Sequence, residues 1–275
     1  MTDNRIATVD PDGIPPLDAT MLEQIARGEE LLAAVDLMTP AECIPLAKSI
    51  LADPLLTGYG STSQDNQHES KTAAEIRRGG LTCYEACNSE LREVYFELAR
   101  RIEDHFRRQF APNPSPMDLF LDHLRGLWPL GVVPEMWHGM AMAGLVTRAF
   151  APGSQALLHN DVLWVDQAGE MHDPLVSQLA VNIYMAMPPK GGELELWGWM
   201  PSRPVYKALQ MQGSYGLDRS KIGEPLLSIR PRPGQALVFN PTMIHAVAPS
   251  MDGWRLTISC FLGFRGPDKS LSRWA

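Results

Sequence analysis

Near Pro134 the chain changes period, and that change narrows the possible architectures more than any single composition figure. Upstream, apolar residues recur at helical spacing. Leu91, Val94, Tyr95, Leu98, Ile102 and Phe106 share one side of a segment from Asn88 to Phe110, with Arg, Glu and Asp on the other. A second helix is predicted over Ser115–Leu127, after Pro112 and Pro114, and a third from Pro40 to about Ala52. The third opens on Thr39-Pro40-Ala41-Glu42, which reads as an N-cap, a proline in the first turn and an acid behind it. Glu30–Met38 reads as a strand, residues 1–20 as a loosely held leader and Gly58–Gly80 as loop. Downstream, short β-branched and aromatic runs alternate with Gly and Pro: Met142–Phe150, Ala156–Trp164, Gln178–Met187, Glu193–Trp199, Leu226–Ile229, Gln235–Asn240 and Arg255–Phe261. The pattern predicts an α+β chain: antiparallel strands in a sandwich or barrel over 136–275, with the mainly helical 1–135 packed on them as one domain over 1–275.

Composition removes several classes. The 275 residues are 45% apolar, which excludes dominant disorder, and no uninterrupted apolar run is long enough to span a membrane. The formal charge is −8, from 24 basic and 32 acidic residues, which argues against a nucleic-acid partner held through phosphates. The polar N-terminal stretch lacks a secretory core, so a cytoplasmic location is expected. Cys43, Cys83, Cys87 and Cys260 are too sparse for a disulfide scaffold. The Cys83/Cys87 pair lacks a second pair to complete a zinc site.

Chemistry concentrates in the β half. His159-Asn160-Asp161 interrupts an apolar run, and in a strand His159 and Asp161 point to one face. Two metal-capable groups on a buried face are explained by a bound cation; a hydrogen-bonded His–Asp pair at a strand end is the alternative. His245 follows 86 residues later, after the Pro233-Gly234 turn and a strand. Two imidazoles and one carboxylate make a facial triad that leaves half an octahedral shell open, as in non-haem Fe(II) oxygenases. Ten residues on, Arg255 shares parity with Thr257 and Ser259. An inward guanidinium requires an anion, and no Asp or Glu offers itself, so an anionic ligand is expected; a solvated rim arginine is the alternative.

His159-x-Asp161, His245 and Arg255, in this order, resemble the Fe(II)/2-oxoglutarate-dependent oxygenases over roughly residues 140–265. Within them, Gln178–Trp199, with Pro188-Pro189-Lys190-Gly191-Gly192-Glu193-Leu194, and the ending Leu262–Trp274 resemble a narrower group, the N-succinyl amino-acid hydroxylases and stand-alone indole-alkaloid halogenases. The resemblance implies a double-stranded β-helix (jelly roll) core with flanking N-terminal helices. It implies Fe(II) on His159, Asp161 and His245, and 2-oxoglutarate with its far carboxylate on Arg255 and Thr257. O2 is the third reagent. The implied reaction is hydroxylation of an unactivated sp3 C–H of a free small molecule, such as an N-acyl amino acid or natural-product intermediate, releasing succinate and CO2. Halogenases of the group carry Gly or Ala at the carboxylate position; Asp161 fills it here, which favours hydroxylation or desaturation.

Ala180, Asn182 and Tyr184 share parity on the strand before the Pro-Gly turn, so Asn182 and Tyr184 are candidates for contacting 2-oxoglutarate or substrate, with outward alternation the competing reading. Arg148 and Arg203 are candidates for an anionic substrate group, and Trp164, with Trp197 and Trp199, for an apolar wall. His172-Asp173 precedes Pro174 in a loop and is left out of the metal set, as are His68, His105, His123 and His138. Two other classes compete: a cupin-type metalloenzyme, and a non-catalytic jelly roll holding a metal. Neither uses 2-oxoglutarate, and a cupin has no need of Arg255. Oligomeric state stays open.

Overall fold

A computed structural model describes residues 7–9, 11–58, 76–163 and 173–275. The helices begin where capping chemistry puts them. Thr39 and Glu42 close a capping box at the start of α2 (Pro40–Leu51), and Ser115 and Asp118 do the same for α5 (Pro116–Leu127). Asp18 caps α1 (Ala19–Arg27), which ends on left-handed Gly28. The long predicted helix divides into a short α3 (Cys83–Cys87) and α4 (Arg92–Arg108). On α4 the buried face is Tyr95, Ala99, Glu103 and Phe106, whereas Val94 is exposed. The charge at 103 is tolerated because its carboxylate accepts the Gly144 N–H at 2.9 Å and lies 3.5 Å from Arg107 and 3.8 Å from Arg273.

The main strands are β1 (Leu32–Asp36), β2 (Ile76–Gly79), β3 (Val146–Phe150), β4 (Ala156–His159), β5 (Ser177–Ala186), β6 (Leu194–Leu196), β7 (Leu227–Ile229), β8 (Gln235–Phe239), β9 (His245–Val247), β10 (Arg255–Phe264) and β11 (Leu271–Trp274). They form two sheets. The larger runs β1-β8-β5-β10-β3-β2 and then Thr57–Gly58, with β11 and Val132–Pro134 attached beside β10. The smaller runs Ala7–Val9, β7, β6, β9, β4. Along the chain, β3 to β10 visit the large, small, large, small, small, large, small and large sheets in turn.

Strand alternation separates two cores. Leu179, Val181, Ile183 and Met185 of β5, with Leu256, Ile258, Cys260 and Leu262 of β10, face Leu22, Ile25, Ile50, Phe120 and Leu124 of the helices. Burying each large apolar side chain of this set stabilises the fold by about 1.5–3 kcal/mol. The opposite face of the same strands carries Ala180, Tyr184 and Phe261, which join Leu237 and Phe239 of β8 against Leu194, Leu196 and Ile229 of the small sheet. Arg255, Thr257 and Ser259 lie on that inner face.

Several expectations change. The Gly58–Gly80 segment holds strand residues at both ends, Thr57–Gly58 and Ile76–Gly79, and residues 59–75 lie outside the described ones. The strand predicted to reach Trp164 ends at His159, so Asp161 is not a strand residue. Besides β2, strands β9 and β11 are absent from the expected set; at three and four residues each carries too few alternations to be read. Among the described residues, no helix is long and apolar enough to cross a membrane.

Candidate metal centre and anion-binding face

The centre is built where two short strands of the smaller sheet meet. β4 and β9 pair antiparallel with His159 directly opposite His245. Their rings lie 4.3 Å apart between centroids, at 46°. Each Nδ1 faces a backbone carbonyl two residues upstream, Leu157 O at 2.7 Å and Met243 O at 3.0 Å. A ring so anchored turns its Nε2 the other way, which is how a ligating histidine is set. The two Nε2 atoms point to the same place, 3.9 and 3.8 Å from the two carboxylate oxygens of Asp161.

Asp161 reaches this place without a strand to carry it. Its N–H donates to Pro241 O at 2.8 Å, and the Asn160 side chain donates to Thr242 O at 3.1 Å. That receiving loop is itself held by Asn240, whose Oδ1 accepts from both the Thr242 N–H and hydroxyl. One ligand atom from each of His159, Asp161 and His245 lies within 4.8 Å of the others, the one such group of three or more His, Cys, Asp or Glu among the described residues. Cys83 and Cys87 are free and join no such group. His245 is buried; burial first, and the neighbouring His159 second, bring its pKa down to about 4. It is a neutral imidazole near neutral pH, as a metal ligand must be.

Three tyrosines from separate segments surround the triad, and no spacing in the sequence links them. Tyr84 of α3 donates to Asp161 Oδ1 at 3.2 Å, and the carboxylate pushes its phenol well above the ordinary value. Tyr206 of α6 (Arg203–Leu209) is raised to about 12, by burial first and by Asp161 second. The Tyr215 ring stands edge-on to His159, 5.5 Å away. The Thr82-x-x-Glu85 capping box is the signal by which α3, and so Tyr84, is readable.

On the large sheet Arg255 is 2% exposed. Its Nε donates to Gly192 O at 3.2 Å and its Nη2 to the Tyr184 hydroxyl at 3.3 Å, and the guanidinium lies 5.0–5.1 Å from the Tyr184 and Phe150 ring centroids. Among the described residues no carboxylate pairs with it. Burial lowers its pKa, yet a guanidinium stays charged in any protein environment. This is a buried cation provided with neutral acceptors and no anion.

Its approach depends on the Pro-Gly turn. Gly191 and Gly192 both have left-handed φ, +74° and +76°. A Cβ on Gly191 would lie 1.9 Å from Pro249 O, and one on Gly192 would lie 3.4 Å from Arg255 Cδ. Arg230 holds the turn through Gly191 O, Pro188 O and Glu193.

The other predicted residues divide. Thr257 is buried opposite Tyr184 and Arg148, and accepts from Ser259 Oγ at 3.4 Å. Tyr184 is buried, and Asn182, one strand repeat before it on the same face, is half-buried. Arg148 is half-buried on β3 between Thr257 and Arg78, within electrostatic reach of Arg255 and Tyr84. These lie on one inner face. Ala180 is packed in the apolar cluster instead, opposite Phe261 and Phe239, because it sits one strand repeat deeper than Asn182. Arg203 is exposed on the first turn of α6, where the sequence suggested a loop. Trp164 and His172 lie outside the described residues. Trp197 is buried and donates to Gly223 O; Trp199 is partly exposed.

Fold and site together define a protein whose main strands form two sheets, with a cluster of two His and one Asp and a buried arginine that pairs with no carboxylate among the described residues. No family model matches the chain. Over 169 residues it is 30% identical to the L-gamma-glutamyl-L-propargylglycine hydroxylase of Streptantibioticus cattleyicolor, a match covering 58% of this chain. The chain spans 60% of that relative's length. In fold it is similar to an N-substituted L-amino acid dioxygenase from Burkholderia ambifaria, with TM-score 0.57, 15% identity and coverage of 94% of this chain and 91% of that one. A second structure of that dioxygenase, in complex with alpha-KG (2-oxoglutarate), aligns with TM-score 0.56 over the same shares.

Proposed function

We propose that the protein is a non-haem Fe(II)/2-oxoglutarate-dependent dioxygenase that hydroxylates an sp3 C–H of a free, carboxylate-bearing small molecule, an N-acyl or N-substituted amino acid. The observation that carries this reading is the pairing of two features on facing sheets: the triad, and a buried arginine without an anion. Two anchored imidazoles and one carboxylate suit a ferrous ion in type and number. Such an ion, when bound, supplies the activation of O2 that is coupled to oxidative decarboxylation of 2-oxoglutarate.

The protein's own residues then have distinct tasks. His159, Asp161 and His245 hold the ion. Arg255 grips the far carboxylate of 2-oxoglutarate by charge-assisted hydrogen bonds, with Thr257 and Tyr184 beside it as hydroxyl partners. Asn182, one strand repeat from Tyr184 on the same face, is assigned to contact 2-oxoglutarate or the substrate. Arg148, on the same face, and Arg203, on the first turn of α6, are assigned to an anionic substrate group. Asp161 occupies the position a halide requires, which supports hydroxylation over halogenation. The alternation of β3 to β10 between the sheets supports a double-stranded β-helix with the N-terminal helices packed on it, as one domain over 1–275. The names of the relatives support the substrate class, since both act on amino-acid derivatives. Arg255 weighs against a cupin-type enzyme or a metal-holding jelly roll.

The test is succinate release with Fe(II), O2 and 2-oxoglutarate, screened across N-acyl, N-succinyl and γ-glutamyl amino acids. Substrate-dependent succinate with a product 16 mass units heavier is expected. Metal binding without any 2-oxoglutarate turnover or binding would replace this reading by the metal-holding one.

A further inference from the structure

His159 sits on β4, and β4 is the edge strand of the small sheet. An edge strand leaves backbone groups unpaired on one side and is the part of a sheet most open to fraying. That side is covered here by a hairpin-like segment over residues 209–218. It is closed by a bridge between Gln210 and Leu217, by Met211 N donating to Gly216 O at 2.9 Å, and by Asp218 N donating to Leu209 O at 3.0 Å. The segment is bonded to β4 twice. Leu217 N donates to Leu158 O at 2.8 Å, and the Leu157 N–H donates to the Tyr215 hydroxyl at 3.0 Å. Gly216 permits the approach: a Cβ there would lie 2.5 Å from that of Leu157.

Leu157 is also the residue whose carbonyl faces His159 Nδ1 at 2.7 Å. Tyr215 thus holds, through the N–H of Leu157, the residue whose carbonyl in the following peptide orients the imidazole, while its ring stands at 87° to the imidazole itself. Its own carbonyl accepts the Tyr206 hydroxyl at 2.9 Å, which ties it to α6 on the far side. A hydrogen bond to the strand backbone two residues before His159 and an edge-on contact to its ring converge on a single side chain.

We infer that Tyr215 is a positioning residue for His159, holding the edge strand and the imidazole in the geometry that binds the metal. The inference rests on the metal-binding reading above. Partners that orient a ligating histidine typically change metal affinity about 10–100-fold when removed.

The test is Co(II) titration of the metal-free full chain, followed by the d–d absorption of the bound ion, in the parent, Tyr215→Phe, Tyr215→Leu and Gln210→Ala. Tyr215→Phe keeps the ring and loses the acceptor for Leu157; it should bind about tenfold more weakly. Tyr215→Leu loses both contacts and should bind more weakly still, with an altered d–d spectrum. Gln210→Ala removes a bond to Ser214 O inside the segment, leaves β4 untouched and should match the parent. Parent-like affinity and spectrum in both Tyr215 variants would overturn the inference while leaving the metal centre standing. An equal loss in Gln210→Ala would also overturn it, since hairpin order alone would then explain the effect. If Tyr215→Leu fails to fold, Tyr215→Phe decides. A parent that binds no Co(II) would remove the metal centre itself, and the inference with it.

Discussion

Replacing Arg255 by Met separates a ligand-binding arginine from a structural one by the sign of two measurements. Removing one partner of a satisfied buried ion pair costs about 3–5 kcal/mol. Arg255 has no such partner: its contacts are one carbonyl, one phenol and two rings. A hydrogen bond from a charged group returns about 1.5–3 kcal/mol, and each ring about 0.5–2 kcal/mol. Against these stands a desolvation cost of several kcal/mol for the buried guanidinium. Methionine fills much of the volume and carries no charge, so the ligand-free stability of Arg255→Met should lie within about 1 kcal/mol of the parent. At about 2–4 °C per kcal/mol, Tm should move by no more than about 4 °C. With Mn(II) under argon and 2-oxoglutarate at 100 times its Kd, the parent gains about 2.7 kcal/mol, a rise of about 5–10 °C. Losing a buried charge contact costs at least about 2 kcal/mol, some 30-fold in affinity, which leaves about 0.8 kcal/mol and a rise near 2 °C. Differential scanning calorimetry reads both quantities. A variant that loses more than about 3 kcal/mol by itself and keeps the full 2-oxoglutarate shift would refute the assignment, because Arg255 would then be serving the fold.

Asp161→Ala should weaken Mn(II) binding by more than about 100-fold, beyond the range of outer-sphere changes, as read by the free Mn(II) EPR signal; binding within tenfold of the parent would exclude Asp161 as a ligand. Gly191→Ala should lower stability by at least about 2 kcal/mol, combining left-handed backbone strain with the Pro249 clash; urea melts showing under 0.5 kcal/mol would contradict it. Glu85 gives a pH test. Burial works to raise its carboxyl, but Arg78 and Thr82 outweigh it, and its pKa lies below the ordinary 4.5. A lowered folded-state pKa contributes stability above pH 4.5 and loses it as pH falls through the folded value. The stability gap between parent and Glu85→Gln should therefore be full at pH 6 and shrink below pH 4.5; a constant gap would mean the Arg78–Glu85 charge pair is not its source.

What was legible in the sequence followed from period and punctuation. The order His159-x-Asp161, His245, Arg255 is legible because it resembles the oxygenase pattern, while strand parity adds only that Arg255, Thr257 and Ser259 share a face. The route to Asp161 was read through the wrong cause: same-face parity assumed a strand continuing to Trp164, whereas the carboxylate is delivered by the 240–244 loop. Glu103 appeared as part of a solvated face because helical spacing cannot reveal that Gly144 and Arg273 come from over forty residues away to meet it. The approach of Tyr84, Tyr206 and Tyr215 to the triad is illegible for the same reason, although the capping box at Thr82 marks the helix that carries Tyr84. Their relation to the triad exists only once three separate segments have folded around two sheets.

The facing register of His159 and His245 has a kinetic consequence. These two histidines stand 86 residues apart and belong to strands that neither adjoin in the chain nor share a turn. Closing so long a span is entropically costly, so an ion has nothing to grasp until the small sheet is complete. Metal uptake should accordingly trail chain closure and act as a clasp fastened at the end, slowing unfolding more than it speeds folding.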